Sequence, residues 1–326
     1  MVVVAVHSNP VFAVRVLSIQ SWVVHGFVGN KCSVFALQLL GFDVDAINSV
    51  NLSNHTGYPV WRGEVMSGEQ LATLVDGLKQ SGLLHGYTHL LTGYVRSASC
   101  LQQIALIYAE LKAVNPQLIY VCDPVMGDDG KLYVPHENVP IFRDALLPRA
   151  DFCFPNQTEA ELLTGMRIAD LASAIACLDE LHRRGPSLVV IKSSSIAERA
   201  DRILLVGSWH HRRADAPPER FQMLLPRLHG SFTGTGDLFA ALMIAWMWRE
   251  CQTPTPSAAR ACERVIATLQ AVLARTVAFG ATRPANAVPP TPELQLIQSA
   301  ADILTPPVGE LVAEAVPLSG GTIHQS

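Results

Sequence analysis

The segment Phe232-Thr233-Gly234-Thr235-Gly236-Asp237, followed by Leu238-Phe239-Ala240-Ala241, places glycines, hydroxyls and a carboxylate where a loop turns into an apolar helix. Such a junction suits an anion. Glycine lets a ligand approach the backbone, and the first turn of a helix carries unpaired amides and partial positive charge. Phosphate is the natural guest. A carboxylate repels that guest, so Asp237 fits better as a proton acceptor beside a reacting phosphate, and phosphoryl transfer to a hydroxyl is the first reading. The same residues also start ordinary helices, with Asp237 complementing the dipole, so the motif needs company before it carries weight.

The company comes from the elements that must position it. Strand-like and helix-like runs alternate for most of the length, the pattern of an α/β fold with a central, mostly parallel sheet flanked by helices on both faces. Strands are expected at Arg15 to Gln20, Asp43 to Val50, His89 to Thr92, Leu118 to Cys122, Phe152 to Phe154, Leu188 to Ile191 and Ile203 to Val206. Helices are expected at Ser33 to Leu40, from the capping box Ser67-Gly68-Glu69-Gln70 to about Gln80, at Leu101 to Ala113, from the capping box Asn156-Gln157-Thr158-Glu159 to Gly165, and at Cys262 to Ala281. Asn51 to Glu64 breaks the alternation and reads as a lid or edge hairpin, while the proline-rich Ala214 to Pro226 reads as surface loop or irregular strand. Ligands of open parallel sheets bind beyond the carboxyl ends of the strands. Ser21, Asn54 to Thr56, Gly93-Tyr94, Asp123, Asn156 with Glu159, Lys192 with Ser193, and finally the Gly-Thr-Gly-Asp turn all fall there. Seven segments on one rim lift the catalytic reading. Lys192 ends an apolar strand, where an ammonium needs a carboxylate or phosphate partner or a route to solvent; a nucleotide phosphate is the expected partner.

Composition narrows the classes. With 326 residues, 49% hydrophobic and 16% charged, the chain can bury a large core, and a formal charge of −4 offers no field for nucleic acid. The longest apolar stretch, Leu238 to Trp248, is too short to span a bilayer and suits a core helix. Seven cysteines without CxxC pairs or metal-like spacing suit a reducing, cytoplasmic setting. Residues 1–14 read as an extension, 15–305 as one domain, and 306–326, rich in small and polar residues, as a disordered tail.

Taken in order, Ser18-Ile19-Gln20-Ser21, Gly26-Phe27-Val28-Gly29-Asn30, Asn48-Ser49-Val50, Ser53-Asn54-His55-Thr56-Gly57-Tyr58, Leu91-Thr92-Gly93-Tyr94, Val121-Cys122-Asp123-Pro124-Val125-Met126-Gly127-Asp128, Pro155-Asn156 and Gly234-Thr235-Gly236-Asp237 resemble the pyridoxal kinase family. The resemblance spans roughly Arg15 to Ile303 and implies a ribokinase-like fold. It also implies ATP-dependent phosphorylation of the 5′-hydroxymethyl group of pyridoxal, pyridoxine and pyridoxamine, giving pyridoxal 5′-phosphate in vitamin B6 salvage, and a homodimer. By the same resemblance Asp237 is the base, with Gly234, Thr235 and Gly236 stabilising the transferring phosphoryl group. Ser21, Thr56, Tyr94 and Val28 hold the pyridine ring. Asp123, Asp128 and Glu159 organise magnesium and the ATP phosphates, and Asn156, Lys192, Ser193 and Thr233 line the nucleotide site.

Three departures stand out. Trp22 occupies a position where many members have histidine, so stacking takes the place of a hydrogen bond. Gly127-Asp128-Asp129-Gly130-Lys131-Leu132-Tyr133 is shorter than the lid-like loop of animal members, leaving Tyr133 to complete closure. Phe154 and Lys192 stand where animal members carry threonines linked to a monovalent cation, which puts potassium dependence in doubt and offers the lysine ammonium as a substitute. Two rival readings remain: a hydroxymethylpyrimidine kinase, disfavoured by Asn54-His55-Thr56-Gly57-Tyr58, and a non-catalytic B6 carrier, disfavoured by the retention of Asp237, its glycines and Glu159.

Overall fold

The computed structural model describes residues 14–195, 201–210, 218–228, 230, 232–284, 286–288, 292–309 and 311–316. The expected N-terminal extension lies outside this set except for Val14. In chain order the elements are β1 (Arg15–Val23), α1 (Gly29–Leu39), β2 (Asp43–Leu52), β3 (Gly63–Val65), α2 (Gly68–Gln80), β4 (His89–Thr92), α3 (Ala98–Val114), β5 (Ile119–Cys122), the small hairpin β6 (Gly127–Asp128) and β7 (Lys131–Leu132), and α4 (Asn138–Ile141). There follow β8 (Phe152–Cys153), α5 (Gln157–Thr164), α6 (Leu171–Arg184), β9 (Leu188–Ser194), β10 (Arg202–Trp209), β11 (Glu219–Pro226), α7 (Thr235–Glu250), α8 (Ala258–Gly280), α9 (Ala300–Leu304) and β12 (Glu314–Ala315).

Among the described residues one sheet runs β12-β11-β10-β9-β8-β5-β4-β1-β2-β3. The six strands from β9 to β2 are parallel neighbours, and antiparallel strands close both edges. Alternate residues of the central strands face opposite layers, as a pleat requires. Val16, Leu91 and Val121 join Leu37, Leu242 and Val265 in one core, while Leu17, Leu90 and Tyr120 join Leu71, Ile104 and Leu178 in the other. Apolar-looking strands buried on both faces are the consequence of this two-sided cover. Helix α7 is buried from Leu238 to Met247, so Leu238 to Trp248 is a core helix; among the described residues no helix is long and apolar enough to cross a membrane.

Both capping boxes form as read: Ser67 with Gln70, and Asn156 with Glu159, the second helix ending on Gly165 at φ +75°. Three segments differ from the sequence reading. Glu219–Pro226 is a regular strand with Phe221, Met223 and Leu225 turned inward; proline closes its end instead of breaking it, and residues 214–217 lie outside the described set. Leu171–Arg184, to which the sequence reading assigns no element, is an amphipathic helix capped by Asp170 and Ser173. Within the segment read as a disordered tail, Glu314–Ala315 pairs with β11 as an edge strand and Val316 N donates to Arg220 O at 3.0 Å.

The chain leaves β1 first for β2 on one side and later for β4 on the other, so the strand order reverses at β1. The crevice beyond that reversal is where an open α/β sheet receives its ligand. A register shift between Gln20 and Ser21 lies in β1 near that crevice.

Candidate active site

Gly234, at φ +92°, caps α7 in the left-handed region, where a Cβ would lie 2.2 Å from Phe27 O. Only glycine fits that turn. Asp237 sits in the first turn of α7, yet its Oδ2 accepts a bond from Gly29 N, at the start of α1, at 2.7 Å. The carboxylate is therefore committed across the rim to another helix. A plain capping role, the bland reading of the motif, does not account for this. Gly29 holds φ +53°, and a Cβ on it would lie 2.3 Å from Ser21 Oγ, which puts Ser21, Gly29 and Asp237 side by side.

On the other flank, Lys192 Nζ donates to Asp123 Oδ1 at 2.6 Å; the Asp123 side chain is fully buried and that of Lys192 is 13% exposed. Lys192 was expected to meet a nucleotide phosphate; its partner in the structure is this carboxylate. A Cβ on Gly236 would lie 3.2 Å from Lys192 Nζ and 3.6 Å from Asp123 Oδ2, so the pair abuts the helix start. Asp123 Oδ2 is buried without a hydrogen-bond partner, an acceptor aimed into the site.

Electrostatics bind these groups into one unit. Burial pushes the Asp237 carboxyl up to about 7, with Asp123 adding to the rise and the Gly29 amide and Lys192 opposing it. Burial likewise pushes Glu159 up to about 8 against the pull of Lys192. For Lys192 burial works the other way, but the charges of Asp123, Glu159 and Asp237 outweigh it and raise the ammonium to about 12. A lysine held charged among three acids is a fixed positive centre.

Glu159 spends both oxygens on backbone: Oε2 accepts from Asn156 N at 2.8 Å and Oε1 from Met126 N at 3.1 Å. It thereby ties the start of α5 to the loop after β5, and Asn156 Nδ2 adds a bond to Gly127 O at 2.7 Å. Asp128 lies on the exposed β6 hairpin with its carboxyl raised by burial, near enough to Lys192 to feel its charge. Val28 packs with Val23, Val50 and Leu52 in a small apolar wall that Tyr94 and Trp61 join, and Tyr94 OH is buried without a partner. Ser21 and Val28 thus stand on the Asp237 side. Thr56 and Thr233 are exposed loop residues and Ser193 is half-buried; no hydrogen bond ties them to the cluster. Two participants escaped the sequence reading: the Gly29 amide, a backbone donor without side-chain signature, and Glu293, considered below.

A helix start built for phosphate, a carboxylate facing it and a buried lysine, all at the switch point of a ribokinase-like sheet, define a small-molecule kinase with an alcohol acceptor. Comparison narrows the class. A family model described as phosphomethylpyrimidine kinase matches residues 89–282. A pyridoxal kinase of Arabidopsis thaliana is 47% identical over 300 residues, covering 92% of this chain and 94% of the relative. One of Homo sapiens is 41% identical over 316 residues, covering 93% and 98%. Among solved structures, pyridoxal kinase from Leishmania donovani in complex with ADP matches with a TM-score of 0.84 at 37% identity, covering 93% of this chain and 99% of that one. The same enzyme in complex with ADP and pyridoxine gives 0.82 at 36% identity, again covering 93% and 99%. The chain belongs to the pyridoxal kinase family.

Proposed function

We propose that the chain transfers the γ-phosphoryl group of ATP to the 5′-hydroxymethyl group of pyridoxal, and of pyridoxine and pyridoxamine, yielding pyridoxal 5′-phosphate from the first. The observation that carries the reading is the Asp237 carboxylate, held by Gly29 N at 2.7 Å at the mouth of a helix start beside the Lys192–Asp123 pair. Asp237 orients the hydroxyl and accepts its proton, while the amides of Thr235 and Gly236, in the turn opened by Gly234, stabilise the phosphoryl group in flight. Lys192 offsets charge on the nucleotide side, lined further by Asn156, Ser193 and Thr233. Ser21, Thr56, Val28 and Tyr94 hold the ring.

The unpartnered Asp123 Oδ2 fits a hard divalent ion, which keeps waters and phosphate oxygens beside few protein ligands. Asp123 would hold magnesium, with Asp128 and Glu159 contributing directly or through water. When bound, the ion neutralises charge building on the phosphate oxygens. Lys192 already supplies a monovalent positive charge, so potassium is not required. A homodimer follows from the resemblance, and a cytoplasmic location is supported by six buried cysteine thiols. Small molecules, not nucleic acid or membrane, are the partners that a charge of −4 favours.

One observation favours a substituted pyrimidine as acceptor, such as hydroxymethylpyrimidine: the family model matched at 89–282 is described as phosphomethylpyrimidine kinase. That span leaves out Ser21, Val28 and Thr56, three of the four residues assigned to the ring, whereas the Arabidopsis thaliana pyridoxal kinase matches over 92% of the chain. Turnover of both compounds in competition decides between them. The test of the mechanism is Asp237→Asn: turnover with pyridoxal falls by about 10²–10⁴-fold while pyridoxal binding persists. Near-normal turnover in that variant removes Asp237 from its role.

A further inference from the structure

We infer that Glu293 is a positioning residue of phosphoryl transfer, a latch that fastens the vitamin-binding loop to the phosphate-binding turn. The inference rests on the functional reading above. The loop between β2 and β3 is pinched at its neck: Ser53 N donates to Arg62 O at 2.7 Å, and Asn54 Nδ2 donates to Val60 O at 2.9 Å. Its tip, carrying Thr56, is held from 235 residues away. Tyr58 OH donates to Glu293 Oε1 at 2.8 Å, and His55 Nε2 lies 3.1 Å from the same oxygen. Gly57 N donates to His55 Nδ1 at 3.1 Å, which makes Nδ1 the acceptor and leaves the proton on Nε2 to face the carboxylate.

The other oxygen serves a different segment. Glu293 Oε2 accepts from Phe27 N at 3.3 Å, and a Cβ on Gly26, at φ +95°, would fall 2.2 Å from the carboxylate. Phe27 O in turn backs Gly234, as does the neighbour of Glu293, buried Leu294, whose Cδ1 would lie 3.3 Å from a Gly234 Cβ. One dipeptide, Glu293-Leu294, therefore touches the vitamin loop, the turn before α1 that supplies the Gly29 amide, and the cap of α7. Gln295 N donates to Thr276 Oγ1 at 3.0 Å and moors this dipeptide to α8. Burial raises the Glu293 carboxyl, but the bonds from His55, Tyr58 and Phe27 N outweigh it and hold the group below its ordinary value, charged and ready to accept. Loss of the bonds from Tyr58 and His55 unties the tip of the loop from the segment that carries Glu293.

The test varies pyridoxal and ATP separately for the wild type, Glu293→Ala, Glu293→Gln and Tyr58→Phe, alongside hydrogen exchange of the amides of residues 55–58. Glu293→Ala raises the pyridoxal KM at least about tenfold while the ATP KM stays within about twofold, the size expected when bonds to a charged acceptor are lost on one side of the site only. Glu293→Gln and Tyr58→Phe move the same constant by less, and exchange at 55–58 speeds up in all three. An unchanged pyridoxal KM, or equal losses toward both substrates with a lowered unfolding temperature, overturns the latch. Should Glu293→Ala fail to fold, Tyr58→Phe decides alone by the same criterion. A wild type that phosphorylates no B6 vitamer overturns the functional reading, and this inference with it.

Discussion

At Asp237 two demands oppose each other: the carboxyl must be basic enough to take a proton, yet it stands where a phosphate dianion arrives. Burial satisfies the first by raising its pKa to about 7. Below that value the group carries a proton and cannot accept another; above it the base is free. In the free enzyme kcat/KM for pyridoxal therefore rises with pH along a limb centred near 7, and Asp237→Asn loses the limb. A flat profile between about pH 5.5 and 8.5 in the wild type contradicts the assignment. Lys192 answers the second demand. Its ammonium, 2.6 Å from Asp123, is a built-in cation, so exchanging potassium for a bulky organic cation at fixed ionic strength leaves turnover nearly unchanged. Strong potassium activation dismisses that role.

At the scale of elements, the start of α1 and the start of α7 are one device, tied by Gly29 N to Asp237 Oδ2 and by Ser33 Oγ, which donates to Asp237 O at 3.2 Å. Gly29→Ala tests it, because φ +53° and a Cβ 2.1 Å from Ser21 O force the turn to move. The expected result is a loss of about 1–3 kcal/mol in stability, read by denaturant unfolding, and a turnover reduced on the order of 10²-fold as the Gly29 amide leaves Asp237. Wild-type activity in this variant shows that the amide is dispensable. The same elements show what could be read from sequence. Capping residues act within four positions of each other, so Ser67 with Gln70 and Asn156 with Glu159 were legible, as were strands such as His89–Thr92 buried on both faces. The rim residues were legible because strand ends order them. The Gly29 to Asp237 and Tyr58 to Glu293 bonds join positions 208 and 235 apart, and neither a backbone amide nor a lone glutamate leaves a periodic trace. Glu219–Pro226 is obscured by Pro217 and Pro218 before it and Pro226 at its end, although Phe221, Met223 and Leu225 alternate as a half-buried strand should.

For the whole molecule, the decisive feature is that both cores are built on the two faces of one sheet. Val16 and Leu17, adjacent in β1, belong to different cores, so neither layer can open without stripping the other side of the same strands. Residues 15–305 should therefore melt as one cooperative unit by calorimetry, despite a length at which chains often divide. The site strengthens the expectation. Its residues come from the ends of β1, β5, β8 and β9 and from the start of α7, so a bound nucleotide draws on the whole sheet. A ligand that binds only the folded state at about 100 times its dissociation constant adds about 2.7 kcal/mol, which moves the unfolding temperature of a chain this long by roughly 4 °C. Addition of ATP with magnesium should shift the entire transition by that amount and leave it single. Two resolved transitions, of which the nucleotide moves only one, mean that the layers unfold separately and that the sheet does not couple them.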